Sequence, residues 1–256
     1  MEKIDIKKSF HHHFNQMIKS DIKLKILFYE IFVFGSAYIV GGFFRDFLNN
    51  RKSRDVDVIV DISSSKLLNI VAECGNPYSI NRHGGIKIQF ASIQIDIWSI
   101  QDNWAFKNNL VKLNEEDKLN SIAKGCFYNF DSLVINLHNF SYNLRHYNEF
   151  INSQKLDILQ NSPTYKNLNP TTEANILRAF YIKNRYNCKY TINTYKYLLK
   201  KVGSLDDKKS DNAFDRLIVT RGKYIKYQEL NDNLIIKYLK ELKSKDNPSN
   251  QIPLDL

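Results

Sequence analysis

Hydrophobic positions two apart, the period of a strand, are concentrated between residues 38 and 97; on either side they recur three and four apart, the period of a helix. Residues 2–20 place Ile4, Phe10, Phe14 and Met17 at helical spacing, and Asp21 to Phe34 continues as a helix or a helix plus a strand, broken by the turn Gly35-Ser36. Tyr38-Ile39-Val40 then reads as a strand, Gly41-Gly42 as a turn, and Phe43 to Leu48 as a short helix burying Phe43, Phe44 and Phe47 or Leu48. A basic turn, Asn49 to Arg54, leads into a strand over 55–61. There Val56, Val58 and Val60 point to a core, and Asp55 and Asp57 share the opposite side. Ser63-Ser64-Ser65 caps a helix carrying Leu67, Leu68, Ile70 and Val71, which Cys74-Gly75-Asn76-Pro77 ends.

After the turn or bulge at Gly84-Gly85, Ile86, Ile88 and Phe90 alternate with polar residues, and so do Ile93, Ile95 and Ile97. Two antiparallel strands joined at Ala91-Ser92 explain both runs and put Asp96 on the polar face of a central strand. His83, just before the glycines, is a candidate phosphate contact or a turn cap. Residues 101–120 lack a clear period and are anchored by Trp104 and Phe106; a strand over Ser132–Asn136 closes the sheet. Tyr147 to Leu159 reads as a link, with a loop bracketed by Pro163 and Pro170 beyond it. A helix starts at Thr171-Thr172-Glu173 and runs through ANILRAFYIKNRYNCKY, with Arg178 and Arg185 seven residues, two turns, apart. Helices near 191–202, 210–220 and 231–243 follow, and the tail from Lys243 frays. The class expected is α+β: a small mixed-sheet head at 1–145 and an all-α domain at 146–256.

At 43% apolar residues the chain can build packed cores. It has no run of about 18 apolar residues and no secretory signal, and its three scattered cysteines suit a reducing compartment. A cytoplasmic protein with no membrane partner is expected. No Cys/His spacing marks a zinc site, and His11-His12-His13 is assigned no metal. The net charge of +10 is uneven: residues 1–140 carry 17 basic and 15 acidic residues, residues 141–256 carry 20 and 12. Nucleotides or phosphate backbones are natural partners for the basic half, although many lysine-rich proteins bind neither.

The pair Asp55 and Asp57, beside a glycine turn that opens a helix, suits a metal-bound triphosphate: carboxylates are hard oxygen ligands for Mg²⁺, and helix N-termini favour phosphate. The stretch YIVGGFFRDFLNNRKSRDVDVIVD resembles the head domain of class II CCA-adding enzymes and bacterial poly(A) polymerases. That family carries Gly-Gly-x-x-Arg-Asp, a basic turn and Asp-x-Asp, matched here by GGFFRD at 41–46 and RDVDV at 54–58. A partial second match, Leu177-Arg178-Ala179, corresponds to the family's neck helix. The family's Arg-Arg-Asp is missing before Phe127, where Phe127, Asn129 and Asp131 give only a loose echo, and its Glu-Asp-x-x-Arg has no counterpart at Asp215-Arg216.

The resemblance implies a nucleotidyltransferase head using two Mg²⁺ ions. Asp55, Asp57 and Asp96 would hold the metals and carry catalysis. Gly41 and Gly42 would cradle the phosphates, with Arg45, Lys124, Arg178 and Arg185 as further nucleotide contacts; for Arg45 a structural salt bridge is the equal alternative, and for Arg178 and Arg185 a solvated helix face. The expected reaction is template-independent transfer of a nucleoside monophosphate, from ATP or dATP, to a hydroxyl, building a short oligonucleotide or tailing RNA. The partners implied are nucleoside triphosphates and an RNA or DNA oligonucleotide. Alternatives are a bacterial defence or toxin enzyme modifying tRNA or a protein, its own tyrosines included, or a catalytically silent nucleic-acid-binding module.

Overall fold

The computed structural model describes residues 5–160, 171–206 and 212–244. The chain divides into two compact units, residues 1–148 with 159–161, and residues 149–158 with 162–256. Among the described residues no helix is long and apolar enough to cross a membrane.

In the first unit, α1 (Ile6–Lys19) and α2 (Ile22–Phe34) lead into β1 (Ala37–Val40), α3 (Gly42–Leu48) and β2 (Asp55–Val60). The Asp21 side chain accepts from the backbone N–H groups of Lys23 and Leu24 and so starts the helix, which runs unbroken to Phe34 with no strand following within 22–34. Next come α4 (Ser64–Glu73), β3 (Tyr78–Ile80), β4 (Ile86–Gln89), β5 (Gln94–Ser99), α5 (Trp104–Lys107), α6 (Lys118–Gly125), β6 (Val134–Asn136) and β7 (Tyr142–Asn143).

The sheet order is β3-β4-β5-β2-β1-β6-β7. Only β2 and β5 are parallel; every other neighbouring pair is antiparallel. The strand at 134–136 therefore does not close the sheet: β7 pairs outside it, two residues long and too short to announce itself by alternation.

One face of the sheet is buried across its central strands, while Tyr78 and Ile80 on the edge strand β3 are 42% and 55% exposed. Ala37, Ile39, Val56, Val58, Val60, Ile86, Ile88, Ile95 and Ile97 lie on that face, all below a tenth exposed, and α4 packs there against β5. Phe10 of α1 meets Phe44 and Phe47 of α3 edge-on, with ring centroids 5.1 and 4.9 Å apart. The other face is covered at one end only. Tyr38 and Ile59 on the sheet pack with Ile100, Ile122, Ala123 and Val134, joined by Val40, Phe106 and Leu119. On that face β2 runs from Asp55 and Asp57 at its polar end to buried Ile59, and Asp96 of β5 lies beside that polar end.

The second unit begins within α7 (Arg145–Ser153), followed by β8 (Lys155–Leu156). Residues 147–159, read above as a link, are thus largely ordered structure. The loop between Pro163 and Pro170 lies outside the described residues. Then come α8 (Thr172–Tyr186), β9 (Lys189–Tyr190), α9 (Ile192–Asp206), α10 (Ala213–Gly222) and α11 (Asp232–Lys243). The Thr171 side chain caps α8, whose Ile176, Leu177, Ala179, Phe180 and Ile182 are buried. Arg216 on α10 grips Glu173 on α8, with Nε 2.9 Å from Oε1, and the Tyr195 hydroxyl donates to the Leu242 carbonyl. Beside the helices, β8 and β9 form a short parallel pair.

Candidate active site

Strand parity and register assemble the acids. Asp55 and Asp57 lie on the partly open face of β2. The parallel pairing aligns Asp57 with Asp96 and Asp55 with Gln94, so Asp96 is the cross-strand neighbour of Asp57 on that face. The antiparallel pairing on the other side of β5 aligns Lys87 with Asp96. Three carboxylates therefore share a small area with two cations. Arg54 Nη2 is 2.8 Å from Asp55 Oδ2, and Lys87 Nζ is 3.9 Å from Asp96 Oδ1.

The Asp96 side chain is 17% exposed, against 34% for Asp55. Gln94 Nε2 donates to Asp96 Oδ2 at 3.2 Å, while Asp96 Oδ1 is buried without a hydrogen-bond partner. Burial raises its pKa; Lys87 opposes the rise and the nearby Asp55 charge adds to it. A carboxyl with a raised folded-state pKa stabilises the fold fully below its unfolded value, and that contribution is lost as pH rises through the folded value. Asp96→Asn, which stays neutral, is thus expected to raise the melting temperature near pH 7 without divalent cations. The gain should shrink towards zero in acid, as melting curves across a pH series will show. A variant less stable than the parent at pH 7 would contradict this reading.

The turn before α3 depends on Gly41, whose φ of 69° lies in the left-handed region. Its N–H donates to the Leu133 carbonyl at 2.8 Å and so does not face a phosphate, which corrects half of the expected glycine cradle. Gly42 opens α3, and a Cβ there would lie 3.6 Å from Arg45 Nη2. Arg45 takes the salt-bridge alternative. Its Nη1 is 3.0 Å from Asp131 Oδ1, its guanidinium carbon is 4.3 Å from the centre of the Phe130 ring, and both charged side chains are 15% exposed. Asp131, a loose echo in the sequence, thus has a definite partner, and Phe130 is a contact the sequence reading missed.

Trp98 follows Asp96 on the same face and crowds Gly85, where a Cβ would fall 2.0 Å from Trp98 Nε1. His83 plays the turn role: its N–H donates to Asn81 Oδ1, and its ring Nε2 accepts from Arg82 Nε at 2.9 Å. Burial, helped by Arg82, lowers its pKa and keeps the ring a neutral acceptor. Lys124 is exposed in the last turn of α6. Arg178 and Arg185 both lie on α8 in the second unit, where Arg185 Nη1 meets Glu229 Oε1 at 2.8 Å.

The donors at the polar end of the sheet are hard oxygens, as a divalent cation such as Mg²⁺ requires, and the unsatisfied Oδ1 of Asp96 fits a cation's demand for oxygen ligands. They do not form a closed cage: among the described residues no three His, Cys, Asp or Glu side chains are gathered as a metal site. Asp55 would have to leave Arg54 to complete a ligand set.

Residues 37–124 match the family model of the Poly A polymerase head domain, a span holding the glycine turn and all three acids. The resemblance read from GGFFRD and RDVDV is thereby borne out. Among solved structures, a CCA-adding enzyme in complex with ATP superposes with a TM-score of 0.57 at 17% identity, over 81% of this chain and 47% of that one. The Thermotoga maritima CCA-adding enzyme complexed with tRNA gives 0.54 at 18%, over 81% and 47%. A tRNA-processing enzyme in an apo form gives 0.55 at 17%, over 94% and 57%. These likenesses establish the shared fold, an α+β head followed by helices. The chain spans about half the length of the structures it matches. No curated protein sequence matches it.

Proposed function

We propose that this poly(A) polymerase-type head transfers a nucleoside monophosphate from a nucleoside triphosphate to a hydroxyl acceptor without a template, using divalent metal ions, most naturally two Mg²⁺. One observation carries the reading: Asp57 and Asp96 are cross-strand neighbours with Asp55 beside them, and one buried carboxylate oxygen has no hydrogen-bond partner. Three carboxylates at one sheet end, one with a buried oxygen that has only Lys87 at 3.9 Å and no hydrogen bond, cost a purely structural protein stability. A catalyst for phosphoryl transfer gains a place for cations.

In the transfer, the acceptor oxygen bonds to the α-phosphorus, the bond to the bridging oxygen breaks, and pyrophosphate leaves. Bound Mg²⁺ would supply charge neutralisation on the phosphates and acidify the acceptor hydroxyl. Asp55 and Asp57 would hold the metals; Asp96, whose burial raises its pKa, would complete the ligand set and serve as the base that takes the hydroxyl proton. Arg54 must exchange its partner Asp55 for the triphosphate or solvent. Lys87, opposite Asp96, limits the cost of keeping that carboxylate ionised. ATP or dATP as donor, and an RNA, DNA or protein hydroxyl as acceptor, belong to this proposal, since the neighbouring structures are described with ATP and tRNA. The basic residues of the second unit, Arg178 and Arg185 among them, are assigned to nucleotide or nucleic-acid contacts within it. Catalysis is assigned to the head, residues 1–145, and the helical part to residues 146–256, close to the division between compact units at 148 and 149.

The expected signature in binding is a melting temperature raised by a triphosphate together with Mg²⁺ and much less by either alone. Asp55→Ala/Asp57→Ala should abolish the joint effect. An equal shift in the double variant would remove the acids from the reading.

A further inference from the structure

The helix α2 is apolar on both sides, yet only one side is buried. Leu24, Leu27, Phe28 and Ile31 are 0–1% exposed, whereas Ile22, Ile26, Tyr29 and Val33 are 67%, 46%, 66% and 59% exposed. These four are spaced four, three and four apart, which brings them into one narrow stripe along the helix. That is the spacing of a two-helix seam, where side chains from one helix fill gaps on another. Exposed apolar residues scattered singly need no explanation; a continuous stripe does.

We infer that the stripe on α2 is a self-association surface, on which α2 of a second copy of this chain packs antiparallel about a two-fold axis. The charges beside the stripe favour that occupant. Lys23 and Glu30 lie on one flank of it, Lys25 and Phe32 on the other. The two-fold that sets Ile26 against Tyr29 of the second copy also sets Ile22 against its Val33. It brings Lys23 within side-chain reach of the second copy's Glu30, reciprocally, so each contact yields two opposite-charge pairs. Lys25 meets the second copy's Phe32, and no like charges face each other across the seam. Antiparallel alignment also opposes the two helix dipoles favourably. An isologous contact of this kind closes on itself as a dimer and does not propagate. Lys23 Nζ now donates to the Gly75 carbonyl at 3.1 Å, an exposed contact it can share with or give up for Glu30. The α2 helix is about 20 Å long, so the seam is small and the dimer is expected to be weak, in the micromolar range.

Sedimentation velocity on the full chain from about 1 to 200 μM tests this. The mass should rise with concentration from 30.1 kDa towards twice that value. Ile26→Glu should hold the protein monomeric throughout, with an unchanged melting temperature because the side chain is outside the core. Glu30→Lys should weaken dimerisation at least about tenfold, and Lys23→Glu/Glu30→Lys should restore it; a parallel seam would leave that double variant weak. A monomer at every concentration, a dimer indifferent to Ile26→Glu, or a charge swap that fails to restore association overturns the inference. Nucleotide transfer plays no part in these readouts, so they stand or fall apart from the proposed activity.

Discussion

Asp57→Asn is expected to lower nucleotide transfer by at least ~10³-fold while leaving the protein folded, because bound metal supplies several kcal/mol to phosphoryl transfer and each 1.36 kcal/mol is tenfold in rate. Asp57 stands between the other two acids, with Asp55 two residues away on its own strand and Asp96 in register on the next. An amide there keeps the shape and removes the charge needed to hold a cation between the strands. The fold should tolerate the change: the side chain lies on the partly open face, while Val56 and Val58 on the opposite face are fully buried and hold β2 in place. Removing one of three clustered negative charges also relieves repulsion when no metal is bound. Initial rates measured beside melting curves separate chemistry from folding. A loss below tenfold in a folded variant would mean that Asp57 carries no metal.

Arg45→Ala should produce the largest loss of stability from one substitution near the site, about 2–3 kcal/mol, between the cost of breaking an exposed and a fully buried ion pair. The guanidinium does two things at once, pairing with Asp131 and covering Phe130, and it leaves both groups behind. Asp131 would then be a carboxylate with little water and no guanidinium. The consequence reaches the glycine turn. The Asp131 carbonyl lies 3.5 Å from where a Cβ on Gly41 would be, and the Gly41 N–H is tied to Leu133. Arg45 thus acts on the turn through Asp131. Arg45→Met/Asp131→Leu, which removes both charges and keeps apolar volume over Phe130, should recover most of the loss, since buried pairs replaced by well-packed apolar groups are often neutral in stability. Urea denaturation of the three proteins measures this. A cost under about 1 kcal/mol for Arg45→Ala would mean the pair is screened by water.

The carboxylate cluster was legible because strand geometry leaves little freedom. Alternation alone put Asp55 and Asp57 on one side and the valines on the other. The β4–β5 hairpin was equally readable: Phe90 and Ile93 close the two-residue loop at Ala91-Ser92, and counting back pairs Lys87 with Asp96, a neighbour the sequence held but the reading did not extract. The Arg45–Asp131 pair was beyond reach, because 86 residues separate its members and no periodicity links them. The Gly41 N–H was misread for a related reason: its acceptor, the Leu133 carbonyl, lies just before β6, whose placement beside β1 is settled by tertiary pairing. In α2 apolar residues lie on both sides of the helix, so its sequence alone does not say which side is covered; the burial pattern separates the covered side from the exposed stripe.

Mass analysis of reactions with each of the four ribonucleoside and four deoxyribonucleoside triphosphates, with Mg²⁺ and with RNA, DNA or the protein itself as acceptor, tests the account at its centre. It predicts pyrophosphate release together with an acceptor heavier by one or more nucleoside monophosphates, from the parent chain and not from Asp57→Asn. Intact triphosphates and unmodified acceptors in all of these reactions would contradict it.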